Sequence, residues 1–161
     1  MPVNIRKMTD EEYASFYRAS VESHAAELSE ELDISFEDAY EKALSEIDGM
    51  LYDGLNTKDN DLMSIVADGR SVGYIWTLYE ESCGESRAFV CDLAVCKTER
   101  RKGYGEKALL LSEDRAKERG CKVTVLFVND KNHAAISLYE KCSYKTLRQA
   151  GNGRYMIKRL I

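Results

Sequence analysis

The chain has 161 residues, 44% apolar and 32% charged, with a net charge of −5. That suits one folded domain over 1–161 and excludes a disordered chain. No stretch nears the roughly 20 apolar residues that span a membrane, and a negative balance with one basic cluster, at 100–102, argues against nucleic-acid binding. Residues 1–7 lack the apolar core of a secretory signal, so a cytoplasmic location is expected. The five cysteines form no C-x-x-C pair, and with only two histidines they read as free thiols and no metal site.

The first expected element is a short strand at 3–7. Thr9-x-x-Glu12 reads as a capping box opening a helix, on which Tyr13, Phe16, Tyr17, Val21, His24 and Leu28 share a face. Ser35 can cap a second helix carrying Phe36, Ala39, Tyr40, Ala43, Leu44, Ile47 and Leu51 at the same spacing. Both faces are expected to pack on a sheet, and residues 53–61 to form a loop. From Leu62 the period changes to that of strands. Runs at 62–67 and 72–79 flank Asp68-Gly69, a strong hairpin signal. A turn at 82–86 precedes a strand at 89–95. A helix from about 103 to 119 ends before Gly120. Next come a strand at 122–128, a helix at 132–141, and strands at 144–149 and 153–160. The whole reads as an α+β or mixed α/β sandwich. Its largely antiparallel sheet has one locally parallel pair, 89–95 with 122–128, and helices on both faces. Strand 153–160, if exposed, offers an edge for a homodimer.

The segment Glu99-Arg100-Arg101-Lys102-Gly103-Tyr104-Gly105-Glu106 joins the 89–95 strand to a helix. Glycines let the backbone turn sharply against a ligand, and a helix start offers N–H groups without partners. With three cations beside it, such a turn suits a diphosphate. It is neither a P-loop nor a dinucleotide fingerprint, since position 108 is alanine. A second segment, Asn132-x-x-Ala135-x-x-Leu138-Tyr139-Glu140-Lys141, follows the 122–128 strand.

Together the two segments resemble the GNAT superfamily of N-acetyltransferases, which use acetyl-coenzyme A. Arg100-x-x-Gly103-x-Gly105 is similar to that family's pyrophosphate motif, and the Asn132 segment to its second cofactor motif. One departure is Ser143, where the family usually has glycine. The resemblance implies a cofactor-binding core over 61–161 and substrate-side helices over 1–60. It implies that Arg100, Arg101, Lys102, Gly103, Tyr104, Gly105 and Glu106 hold the diphosphate. Backbone groups of Leu93, Ala94 and Val95, with Asn132 and Ala135, would hold the pantetheine arm, and Tyr139 would give a proton to the departing thiolate. Asparagine also suits a helix N-cap, so Asn132 has two readings. For the general base the candidates are Asp92, Glu80, Glu81, His24 or a water chain. A carboxylate such as Asp92 in an apolar strand needs a partner or a task. The expected activity is acetyl transfer from acetyl-CoA to a primary amine, small molecule or peptide, in a ternary complex. The alternative is a non-catalytic acyl-CoA-binding or sensor module of the same fold.

Overall fold

Strand β1 (Val3–Lys7) leads into a capped helix start. The Glu12 N–H donates to Thr9 Oγ1 at 3.1 Å, and the Thr9 N–H to Glu12 Oε1 at 2.9 Å. This reciprocal pair satisfies two donors that a helix start leaves open. Helix α1 (Asp10–Leu32) follows, then α2 (Phe36–Met50), whose cap is Ser35 accepting from the Asp38 N–H at 3.1 Å. The structure, a computed structural model, describes residues 2–161. It divides into two compact units, one made of residues 8–58 and the other of the first strand with residues 59–161.

In the 8–58 unit the buried positions are Phe16, Ser20, Val21, Ala25 and Leu28 on α1 and Ala39, Ala43 and Ile47 on α2. Tyr13, Tyr17 and His24, expected on the apolar stripe, are half-buried. Two of them turn polar atoms to partners on α2: the Tyr17 hydroxyl donates to Asp48, and His24 pairs with Glu46. Phe36, in the first turn of α2, is 51% exposed, with its ring 6.1 Å from that of Tyr40 on the same helix.

The other unit is a seven-stranded sheet in the order β1-β2-β3-β4-β5-β7-β6. Its remaining strands are β2 (Asn60–Ala67), β3 (Arg70–Ser82), β4 (Glu85–Val95), β5 (Val123–Asn129), β6 (Lys145–Ala150) and β7 (Gly153–Arg159). Asp68 and Gly69 have φ of 52° and 76°, Cys83 and Gly84 of 54° and 75°. Two successive left-handed residues are what a tight hairpin requires, so the 82–86 turn contracts to those two. Only β4 and β5 run parallel, joined by helix α3 (Tyr104–Glu118); all other neighbours are antiparallel. Helix α4 (His133–Lys141) packs on the same face as α3. There Ile75, Val90, Leu109, Leu126, Ile136, Tyr139 and Met156 share one core. The exposed strand expected at 153–160 is corrected: β7 lies between β5 and β6, and the sheet edges are β1 and β6. A hairpin order cannot show that, because β6 reaches the sheet only through β7.

Candidate active site

The site begins with a mismatch in strand pairing. Trp76 pairs with Asp92 but Thr77 with Val90, so Cys91 is an extra residue in β4. Such a bulge bends its strand and sharpens the twist. It falls where β4 leaves β5, since their parallel pairing covers only Arg87 to Val90 against Val123 to Leu126. From Asp92 to Val95, β4 keeps β3 on one side and no strand on the other. The Cys96 N–H donates to the Val72 carbonyl at 2.7 Å. Alternation along an antiparallel pair then turns Ala94 and Asp92 backbone groups toward β3, and those of Leu93 and Val95 toward the opening. Gly73 permits the close β3–β4 approach, because a Cβ there would sit 2.2 Å from the Ala94 carbonyl oxygen.

Past Val95 the chain makes a one-turn 3-10 helix (Lys97–Glu99) and then a loop of alternating handedness. Arg100 is extended, Arg101 has φ 64° and Gly103 φ 81°. Backbone of alternating hand can turn successive N–H groups to one side, the geometry of an anion-binding nest. Gly103 is the N-cap of α3 and no side chain caps that helix. The first-turn N–H groups and the helix dipole are left facing the loop. Nothing lies within 4 Å of where a Gly103 Cβ would be. Arg100 Nε donates to the Val95 carbonyl at 3.1 Å, and Lys102 Nζ to Glu99 Oε1 at 2.9 Å. Glu99 also takes two donors from Arg70, so one carboxylate pins the loop to the start of β3. Glu106 pairs with Lys141 at 3.0 Å and joins α3 to α4. The Tyr104 ring is buried with Ile65, Ala67, Val72 and Ala108.

On the far rim, Asn132 caps α4 by accepting from the Ala135 N–H at 3.2 Å. Tyr139, two turns along α4, is 8% exposed. Burial, then the Asp92 carboxylate and Cys142, push its phenol up to about 12. Its hydroxyl has no hydrogen-bond partner among the described residues. Asp92 thus lies within electrostatic reach of Tyr139, and it accepts from the Tyr74 hydroxyl at 3.1 Å. Glu80 is instead held by Arg87, Nε to Oε2 at 2.7 Å, further back along the hairpin. Glu81 is exposed beside that turn, and His24 belongs to the 8–58 unit. Burial first, then Asp92 and Glu80, push the Cys91 thiol up to about 12, which keeps it un-ionised and unreactive.

Three partners lay outside the sequence reading. Tyr74 reaches Asp92 only through the β3–β4 register. Arg70 and Glu99 meet because the hairpin folds β3 back along β4. Tyr144, just past the end of α4, is buried and its hydroxyl donates to Glu113 at 3.2 Å.

A parallel pair splayed at a bulge, with a glycine-rich basic turn at one strand end and a tyrosine helix at the other, is the architecture of an acyl-coenzyme A acetyltransferase. Residues 16–144 match the acetyltransferase (GNAT) family, and the chain belongs to it. It is 26% identical over 145 residues to the uncharacterized N-acetyltransferase YdgE of Bacillus subtilis (strain 168), covering 89% of this chain and 92% of that one. The solved structure of YycN from Bacillus subtilis superposes with a TM-score of 0.84 at 25% identity, covering 92% and 96% of the two chains. PaiA N-acetyltransferase from Thermoplasma acidophilum, in complex with coenzyme A, shares the fold at a TM-score of 0.68 and 23% identity, with 99% of each chain covered.

Proposed function

We propose that this protein transfers the acetyl group of acetyl-CoA directly to a primary amine, within one ternary complex. One observation carries the reading: a tyrosine phenol without a partner and a hydrogen-bonded carboxylate lie within electrostatic reach of each other at the open end of β4. The residues present fit the cosubstrate. The uncapped start of α3 and the Arg101–Gly103 nest match a diphosphate, and Leu93 and Val95 offer backbone groups to an amide-bearing arm as a further strand would. Coenzyme A bound to a protein of this fold agrees with that assignment.

Acetyl-CoA supplies an activated acetyl group on a thiol leaving group. Asp92, steadied by Tyr74, takes the proton that the acceptor amine must lose to become a nucleophile. The new bond joins that nitrogen to the acetyl carbon, and the bond to sulfur breaks. Tyr139 donates to the departing sulfur. With its phenol near 12 and an ordinary thiol near 8.5, full transfer is uphill at rest. Tyr139 therefore acts as a hydrogen-bond donor whose proton follows the developing charge.

Charge supports a cationic acceptor. Residues 8–58 hold fourteen acidic and three basic side chains, and the rest of the chain fourteen and twenty. The unit outside the cofactor core is thus at −11 and the core unit at +6. Such a division draws a polyanionic cosubstrate and a cationic amine to different surfaces.

Mass spectrometry of the protein with acetyl-CoA and a panel of alkyl monoamines, diamines and lysine-containing peptides tests the reading. An amine that gains acetyl mass supports it. A protein that acetyl-CoA stabilises against melting, but that modifies no amine of the panel, favours a binding module instead.

A further inference from the structure

Behind Tyr139 lies a buried polar group that the transfer step does not use. Glu113 on α3 is 4% exposed. Its Oε1 takes Lys158 Nζ from β7 at 2.7 Å, and its Oε2 takes the Tyr144 hydroxyl at 3.2 Å. Thr124 on β5 stands 3.5 Å from the same hydroxyl. An ion pair removed from water is a poor way to gain stability compared with apolar packing, and its best-attested use is to specify one arrangement.

The arrangement it specifies here concerns Tyr139. The Tyr144 N–H donates to the Tyr139 carbonyl at 2.9 Å, and the Ser143 N–H to the Glu140 carbonyl at 3.0 Å. These two bonds close α4 in a Schellman motif, in which the residue after the left-handed one packs on the helix three positions before its cap. Those two residues are Tyr144 and Tyr139, whose rings lie 5.9 Å apart at 55°. Among the described residues Tyr139 has no hydrogen bond of its own to orient its phenol. Its ring is set by its neighbours, and Tyr144 is the neighbour fixed at both ends: by backbone at Tyr139, by hydroxyl at Glu113.

We propose that Tyr144, anchored by Glu113 and Lys158, is a positioning residue for Tyr139 and fixes where its phenol oxygen sits. The proposal rests on the reading of Tyr139 as proton donor. Three elements that do not touch the reacting atoms, α3, β5 and β7, then converge on one ring angle. Misplacing a catalytic group by about an ångström costs up to about a hundredfold in rate.

The test is Tyr144→Phe, which keeps the ring and removes the anchor. We expect kcat to fall on the order of tenfold, with the KM for acetyl-CoA within about twofold, using the panel amine that turns over fastest. Glu113→Gln should keep most of the rate, because its amide oxygen still accepts from Tyr144. In a Tyr139→Phe background, Tyr144→Phe should cost little more. A second readout needs no turnover. With ring-labelled tyrosine, the Tyr139 signal of the free protein, assigned by its loss in Tyr139→Phe, should shift or broaden in Tyr144→Phe. If Tyr144→Phe does not fold, Lys158→Gln loosens Glu113 from its other side and carries the same readouts. An unmoved Tyr139 signal overturns the proposal, as does a Tyr144→Phe loss that persists in full without the Tyr139 hydroxyl. Should Tyr139→Phe prove fully active, the donor role of Tyr139 fails, and the spectrum alone still decides whether Tyr144 orients it.

Discussion

The Tyr74 hydroxyl reaches across β3 and β4 to Asp92 Oδ2 at 3.1 Å, at the residue that follows the bulge. This donor steadies the carboxylate where β4 has lost its second neighbour. Asp92→Asn keeps the shape and can still accept from Tyr74 but cannot take a proton. The acidic limb of the rate profile should then disappear or move, and turnover should fall roughly 10²-fold or more. A variant with the parent's rate and profile would move the base role to water.

Tyr139→Phe should lower turnover by roughly 10²-fold, the lower end for general acid help, with acetyl-CoA binding nearly unchanged. The pH dependence has a clear sign. Donation needs the protonated phenol, and burial keeps the proton on until about pH 12. The parent rate should therefore show no Tyr139-dependent decline between pH 8 and 10. Such a decline, absent from Tyr139→Phe, would contradict the assigned environment.

The two glycines of the basic turn should respond with opposite sign to alanine. Gly103 has φ 81°, where a Cβ crowds the neighbouring carbonyl, so Gly103→Ala should destabilise by about 1–2 kcal/mol. Gly105 lies inside α3, and a Cβ there would rest 3.6 Å from Leu138 and 3.7 Å from Val95. Gly105→Ala should raise stability by less than the helix-interior difference of about 1 kcal/mol, because Gly105 stands in the first turn. Denaturant midpoints at constant slope read both.

Ser143, with φ 76°, is the left-handed residue of the Schellman motif that closes α4. Ser143→Gly should stabilise by about 0.5–1 kcal/mol, because relief of the Cβ contact exceeds the added freedom of the unfolded chain. A lower midpoint for the glycine variant would refute this.

Alkaline pH should unfold the protein through its tyrosines. The bond to Asp48 pushes Tyr17 up to about 12, and burial raises Tyr79, Tyr139 and Tyr144. Each folded pKa exceeds the unfolded value near 10. Their contribution is therefore complete below pH 10 and is lost as pH climbs toward and past 12. Melting temperatures taken from pH 8 to 11.5 should hold flat, then drop. Tyr144→Phe should soften the drop.

Features whose cause is local could be read from the sequence. Gly103 announces a turn because only glycine is at ease at its positive φ. Thr9 with Glu12, and Asp68 with Gly69, satisfy requirements within a few residues. Ser143 betrayed its strain by standing where glycine is usual. What stayed hidden depends on partners distant in the chain. The Cys91 bulge exists only as a mismatch with β3, and Tyr74 meets Asp92 only once that mismatch sets the register. The insertion of β7 between β5 and β6 is a choice among pairings that hairpin signals do not rank. Phe36 misled because helical spacing shows a shared side and not what lies opposite it.

The strand half that lost its neighbour also gives the protein a built-in footprint. Amide hydrogens of Leu93 and Val95, turned to the opening, should trade with deuterium faster than that of Ala94, which β3 holds. An acetyl-CoA arm paired to that edge, as proposed, should slow the first two and leave the third alone. A two-on, one-off pattern of protection would record which backbone groups the pantetheine arm covers without a crystal, and before any acceptor amine is known.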